Sequence, residues 1–196
     1  MKNLLLILQF AGFTFCTVPV HSQLVAGFKG GINYAGFSNH DGGKRLSGHT
    51  GIFIHSRFNT KWHIQPELLY SAEGQRYTVT EIAGEIEQET ERTVAVNVAS
   101  VPVMFQYFVT PAFSVEAGPQ LSFIISATDK GTNEKLNVKR SLANTQFGLN
   151  AGMGLMVSKR AGFYVRYCFG LTDLTRFDDN ADYNRVVQAG FLFRMK

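Results

Sequence analysis

His40, Asp41, Ser47 and His49 are the residues of this chain nearest in type to a nucleophile, a base and an orienting acid, and they fall within ten positions. A serine activated by histidine, with a carboxylate holding the imidazole, is the machinery of acyl transfer. The spacing of these four matches no triad signature, so no catalytic residue and no enzymatic activity are expected. His55 and His63 are the next pair, but a metal centre needs further ligands in a defined geometry. None is evident, so the two histidines are expected to be solvated, and neither a metal nor a cofactor is expected.

A second set carries charge rather than reactivity: Lys29, Arg57, Glu67, Glu116, Gln120, Arg166 and Arg194, accompanied by Glu73 and Asn150. Each lies in a segment where apolar and polar residues alternate, and each occupies the polar side. Successive side chains of a strand point to opposite faces, so such a segment reads as a strand with one greasy and one polar surface. The apolar partners are Phe28, Ile32 and Tyr34; Ile52, Ile54 and Phe58; Trp62, Ile64, Leu68 and Tyr70; Val101, Val103, Phe105 and Tyr107; Phe113, Val115, Phe123 and Ile125; Phe147, Leu149, Met153 and Leu155; Phe163, Val165 and Phe169; and Val187, Phe191 and Phe193. That makes about eight strands.

Connections alternate in length. Asn59-Thr60-Lys61, Thr110-Pro111-Ala112 and Lys159 to Gly162 are short turns. Polar stretches near 79–92, 127–141 and 175–184 are long connections, and the first of these is rich in glutamate while the second carries Lys130, Lys135, Lys139 and Arg140. Solvated loops account for both charge runs; a charged surface partner or a divalent ion is the alternative. Short turns on one side and long loops on the other is the pattern of an up-and-down transmembrane barrel with an even strand number.

The bulk of the apolar set decides which face is outside. An eight-stranded barrel has an interior just wide enough for side chains, too narrow for that many Phe, Tyr, Leu and Ile. The fold class expected is therefore all-β, an eight-stranded antiparallel transmembrane barrel with a polar, side-chain-filled lumen. Glu67, Glu116 and Arg166 would pair inside it, because an unpaired buried charge is costly. Gly152 and Gly154 would face inward and resist larger side chains. Phe58, Trp62, Tyr107, Phe113 and Phe163 gather beside the short turns, where a lipid interface favours aromatic rings; hairpin cross-strand pairing explains them equally well. Pro66, Pro102 and Pro119 fall inside strands and are expected to distort them locally.

The leader fits this location. Lys2 precedes the apolar run Leu4 to Phe15, and Val20-His21-Ser22 suits cleavage before Gln23, so residues 1–22 are expected to be a secretory signal and 23–196 the barrel domain. The run is too short to span a bilayer as a helix. Loss of Cys16 with the leader would leave Cys168 alone, and loss of Lys2 would lower the formal charge of +4 by one. With 45% hydrophobic and only 17% charged residues the chain suits one domain. Its basic residues are scattered without a recognition motif, so no nucleic acid is expected as a partner.

Gly27-Phe28-Lys29-Gly30-Gly31-Ile32-Asn33, Pro66 to Ser71 with Gly74, Val101-Pro102-Val103, Glu116-Ala117-Gly118-Pro119 and Tyr167 to Leu174 follow one another in an order that resembles the PorT-like outer-membrane β-barrel family of bacteroidete bacteria. The resemblance implies the cell outer membrane as the location, outer-membrane lipid and the barrel assembly machinery as partners, long loops outside and termini in the periplasm. It also accommodates the three prolines. A role in secretion is not carried by these residues. The function expected is a small structural barrel, or one that binds a cell-surface or secretion partner through its loops. The alternatives are a lipid-modifying enzyme working at the rim and a small pore or transport barrel.

Overall fold

A computed structural model describes residues 24–38, 43–83, 86–130, 135–137, 139, 144–173 and 182–195. The leader read at 1–22 lies outside them, as do His40 and Asp41. Among the described residues nine strands run in the order β1 Val25–Phe37, β2 Gly43–Arg57, β3 Trp62–Ala83, β4 Ile86–Phe108, β5 Phe113–Lys130, β6 Lys135–Asn137, β7 Thr145–Met156, β8 Ala161–Gly170 and β9 Asn184–Arg194. β6 is a three-residue addition to the far end of β5. The other eight pair antiparallel with their neighbours, and β1 closes on β9 from Gly27↔Arg194 to Phe37↔Asn184. Closure gives each of these eight strands a hydrogen-bonded neighbour on both sides among the described residues.

The alternation places side chains as the pattern requires. Phe28, Ile32, Ile52, Leu68, Phe105, Phe123, Leu149, Val165 and Phe191 are exposed on the outer wall, while Lys29, Glu67, Gln106, Glu116, Asn150 and Arg166 are buried within. Val103 points outward but is half-covered.

All three short turns are built alike. Phe58 N donates to Trp62 O, Val109 N to Phe113 O and Val157 N to Ala161 O. In each, a side-chain oxygen at the next position, Asn59 Oδ1, Thr110 Oγ1 or Ser158 Oγ, accepts from the two backbone N–H groups that close the turn. The third turn thus begins at Val157, earlier than Lys159. The start of β1 and the end of β9 lie at this rim, where Met195 N donates to Ala26 O.

Two expectations change, and the one for the prolines gains detail. Within the stretch 79–92, residues 79–83 and 86–92 are strand, not loop: beyond Gly43↔Arg76, where β2 begins, β3 and β4 continue as a two-stranded ribbon up to Ala83↔Ile86. Of 127–141, Ala127–Lys130 belongs to β5. At the prolines the ladder is locally interrupted, between Phe53↔Glu67 and Ser56↔Ile64, between Pro66↔Val103 and Leu69↔Ser100, and between Pro102↔Gln120 and Phe105↔Ala117, but the register is the same on either side of each gap, and Pro119 sits in a continuous run opposite Leu149. The register shifts lie elsewhere, between Lys44 and His49 and between Asn97 and Val98. Each proline forgoes one donor without adding a residue, whereas a bulge needs an extra residue on one strand.

Candidate functional site

The centre of the barrel is an ion cluster assembled from four strands. Arg166 on β8 donates through Nε and Nη2 to Glu116 Oε1 on β5, at 2.9 and 2.7 Å, and through Nη1 and Nη2 to the two oxygens of Glu67 on β3, at 3.0 and 2.9 Å. Lys29 Nζ on β1 reaches both oxygens of Glu67 at 3.1 and 3.2 Å and lies 3.7 Å from the centre of the Tyr164 ring. Gln65 and Gln106 add amide donors to Glu67 and Glu116. Two cations thus meet two carboxylates. The balance matters because a lone charge at this depth would have no water to stabilise it.

A glycine makes the cluster possible. Glu116, Gly152 and Arg166 stand side by side on β5, β7 and β8. A Cβ on Gly152 would sit 2.5 Å from Val165 O and 3.0 Å from Arg166 Cα. Any side chain there would also stand between the guanidinium and its carboxylate. Gly154 is less confined, its nearest neighbour being Ser114 Oγ at 3.0 Å. Other inward glycines receive bulky partners: the Phe53 ring fills the space of a Gly27 side chain, and Leu69 that of Gly51.

The seven polar residues singled out in the sequence do not form one network. Lys29, Glu67, Glu116 and Arg166 do. Gln120 belongs to a separate chain in which it donates to Ser122 Oγ at 2.9 Å and accepts from Asn150 Nδ2 at 2.8 Å. Arg57 and Arg194 lie at the short-turn mouth, apart from both. Glu73 is buried and accepts a hydrogen bond from Asn184.

The histidines correct the sequence reading. His55 and His63 are buried, at 3% and 4% exposure, not solvated. His63 Nδ1 lies 3.0 Å from His55 Nε2, and His55 Nδ1 lies 3.3 Å from Gln65 Oε1. The Phe108 ring packs beside both. His49 hydrogen-bonds Asn33 and Tyr164 inside the barrel, while Ser47 donates to Ala72 O, so the two are engaged separately. Their shared parity with Lys29 and Glu67 was the signal that they point inward. Among the described residues no group of three His, Cys, Asp or Glu side chains converges as metal ligands would.

Of the aromatics by the short turns, Phe58, Trp62 and Phe163 are about half exposed. Trp62 pairs with Tyr107 across β3 and β4 with ring centres 5.0 Å apart, so cross-strand contact and a position at the rim hold together.

A family profile described as outer membrane protein beta-barrel domain matches residues 19–176. No curated protein matches the chain. Among solved structures the fold is similar to that of Ail, the attachment invasion locus protein of Yersinia pestis, in complex with the heparin analogue sucrose octasulfate, at 13% identity and a TM-score of 0.50, over 88% of this chain and 99% of that one. Neisserial surface protein A is similar at 12% identity and a TM-score of 0.50, over 88% of this chain and 97% of that one. At such identities the likeness is one of fold.

Proposed function

The chain belongs to the outer membrane protein beta-barrel domain family, and from that premise we propose that it is a plugged outer-membrane barrel whose long connections bind a partner at the cell surface. The observation that carries this reading is the ion cluster. Lys29, Glu67, Glu116 and Arg166 use their charges on one another at the centre of the lumen, which among the described residues leaves no free charge there for a permeant solute. Chemistry that can face outward then resides in the connections, which a rigid scaffold presents. Among the described residues the β3–β4 ribbon, rising beyond both neighbouring strands, is the largest of them.

The same reading puts the short turns and both ends of the barrel domain in the periplasm, the long connections outside, and the half-exposed aromatics at the inner lipid interface. Membership of the PorT-like bacteroidete branch rests on the ordered motifs from Gly27 to Leu174. The partners are outer-membrane lipid, the assembly machinery and a surface or secretion protein.

Trimming the ribbon between Val79 and Thr90 to a tight turn tests the proposal. Folded barrel, judged by its heat-dependent gel mobility, should be recovered in full from the outer membrane while proteins that co-purify with the intact chain are lost. Retention of those proteins by the trimmed barrel would contradict a role for the ribbon in binding.

A further inference from the structure

At the short-turn end the lumen opens into two adjoining cavities of about 530 and 420 Å³ that share Arg57, Pro111 and Arg194. The first also has Lys159 and Arg160 in its wall, the second Lys61 and His63. No carboxylate lines either cavity among the described residues, and neither Arg57 nor Arg194 forms an ion pair among them. This contrasts with the centre, where every cation has its carboxylate. Below the mouth, Phe53, Tyr164, Leu192 and Met156 pack together and Phe108 packs on His63, so an apolar layer separates the two regions.

Among the described residues two polar atoms at the mouth are buried with no hydrogen-bond partner, Arg194 Nε and His63 Nε2, and His63 as a residue is only 4% exposed. A native interior seldom leaves such atoms bare. Several cations facing one cavity repel each other, and an anion between them would remove the repulsion and meet the unused donors.

We propose that this mouth is an oxyanion site in which Arg57 and Arg194 clamp a phosphate group. Guanidinium forks match the oxygens of phosphate in pairs. The volume falls within the roughly 300–1,000 Å³ of small-molecule sites, so the group can be carried on a larger molecule. Two sources share this chemistry: the headgroup of a phospholipid in the adjoining leaflet, and a soluble phosphate ester.

Folded barrel in a sugar-headgroup detergent is titrated with inorganic phosphate at constant ionic strength, with chloride as the reference anion. Phosphate should bind more tightly than chloride, and the double variant R57Q/R194Q should weaken it by about tenfold or more, as expected for loss of charge-assisted pairs. K44Q, which removes one charge from the opposite end, should leave binding within about twofold. R57K/R194K keeps the charge and loses the fork, so it should also weaken binding; it covers the case in which the glutamine variant does not fold. Displacement of phosphate by short-chain phosphatidylglycerol but not by glycerol phosphate identifies the lipid source, and the reverse identifies the soluble one; either supports the site. Phosphate bound no more tightly than chloride, or bound equally by whichever of the two double variants folds, overturns it. These readouts are independent of any surface partner.

Discussion

Replacing Arg166 by leucine should destabilise the barrel by about 3–5 kcal/mol, the range for breaking a buried charge pair from one side. Folded membrane and soluble proteins alike have little stability in reserve, about 5–15 kcal/mol, so much of the variant should fail to reach the folded form. The reason is specific. Without the guanidinium, Glu116 loses both of its charged hydrogen bonds while Glu67 keeps Lys29. The uncompensated charge is therefore on Glu116, and R166L/E116Q should recover a large part of the loss. R166L/E67Q should not, because it strands Lys29 and Glu116 on separate strands. Urea unfolding in lipid vesicles, followed by the fluorescence of Trp62, gives the comparison. Additive losses in R166L/E116Q would mean that the two groups act independently, contrary to the cluster described above.

Arginine at Val165 should cost about 2–4 kcal/mol, the value for a cation on the lipid face near the bilayer midplane. Val165 is half exposed, pairs with Met153 and Ala189, and stands four residues into β8. With a tilted strand advancing about 2.4 Å per residue across the membrane, that is about 10 Å from the short-turn rim. Val165→Ile should leave stability within about 0.5 kcal/mol. Leu149→Arg and Phe123→Arg should follow Val165→Arg in direction. Unchanged folding into vesicles for all three arginine variants would place these residues in water or in a protein interface, and the assigned facing would be wrong.

The sequence made the wall legible because lipid and lumen impose opposite chemistry on alternate positions. Phe28 and Lys29, or Val165 and Arg166, announce their faces by type alone. Where β3 and β4 run on past their neighbours the sequence loses that alternation of apolar and polar residues, and so the ribbon with Thr80 and Glu89 read as a polar loop. Contacts inside the lumen were harder still. Arg166 and Glu67 are 99 residues apart, and they meet because the strands are staggered around the barrel and because Gly152 leaves a gap. Parity and charge put Glu67, Glu116 and Arg166 together as a pairing set, but did not say that Lys29 would join them. The same limit split Arg57, Gln120 and Arg194 from the ion cluster. His55 and His63 were misjudged for a different reason: their closeness to the Asn59 turn suggested solvent, whereas their parity pointed inward. The turn chemistry was present in the sequence, with Asn59, Thr110 and Ser158 at matching positions, but three different residue types obscured one repeated device.

Single-channel recording of the intact barrel in a planar bilayer tests the filled lumen most directly. With Lys29, Glu67, Glu116 and Arg166 locked together beneath the Phe53, Tyr164 and Leu192 layer, the membrane should stay silent across the voltage range, without discrete steps. Steady, large unitary currents from the wild-type protein would contradict a plugged barrel and require an open path through its centre.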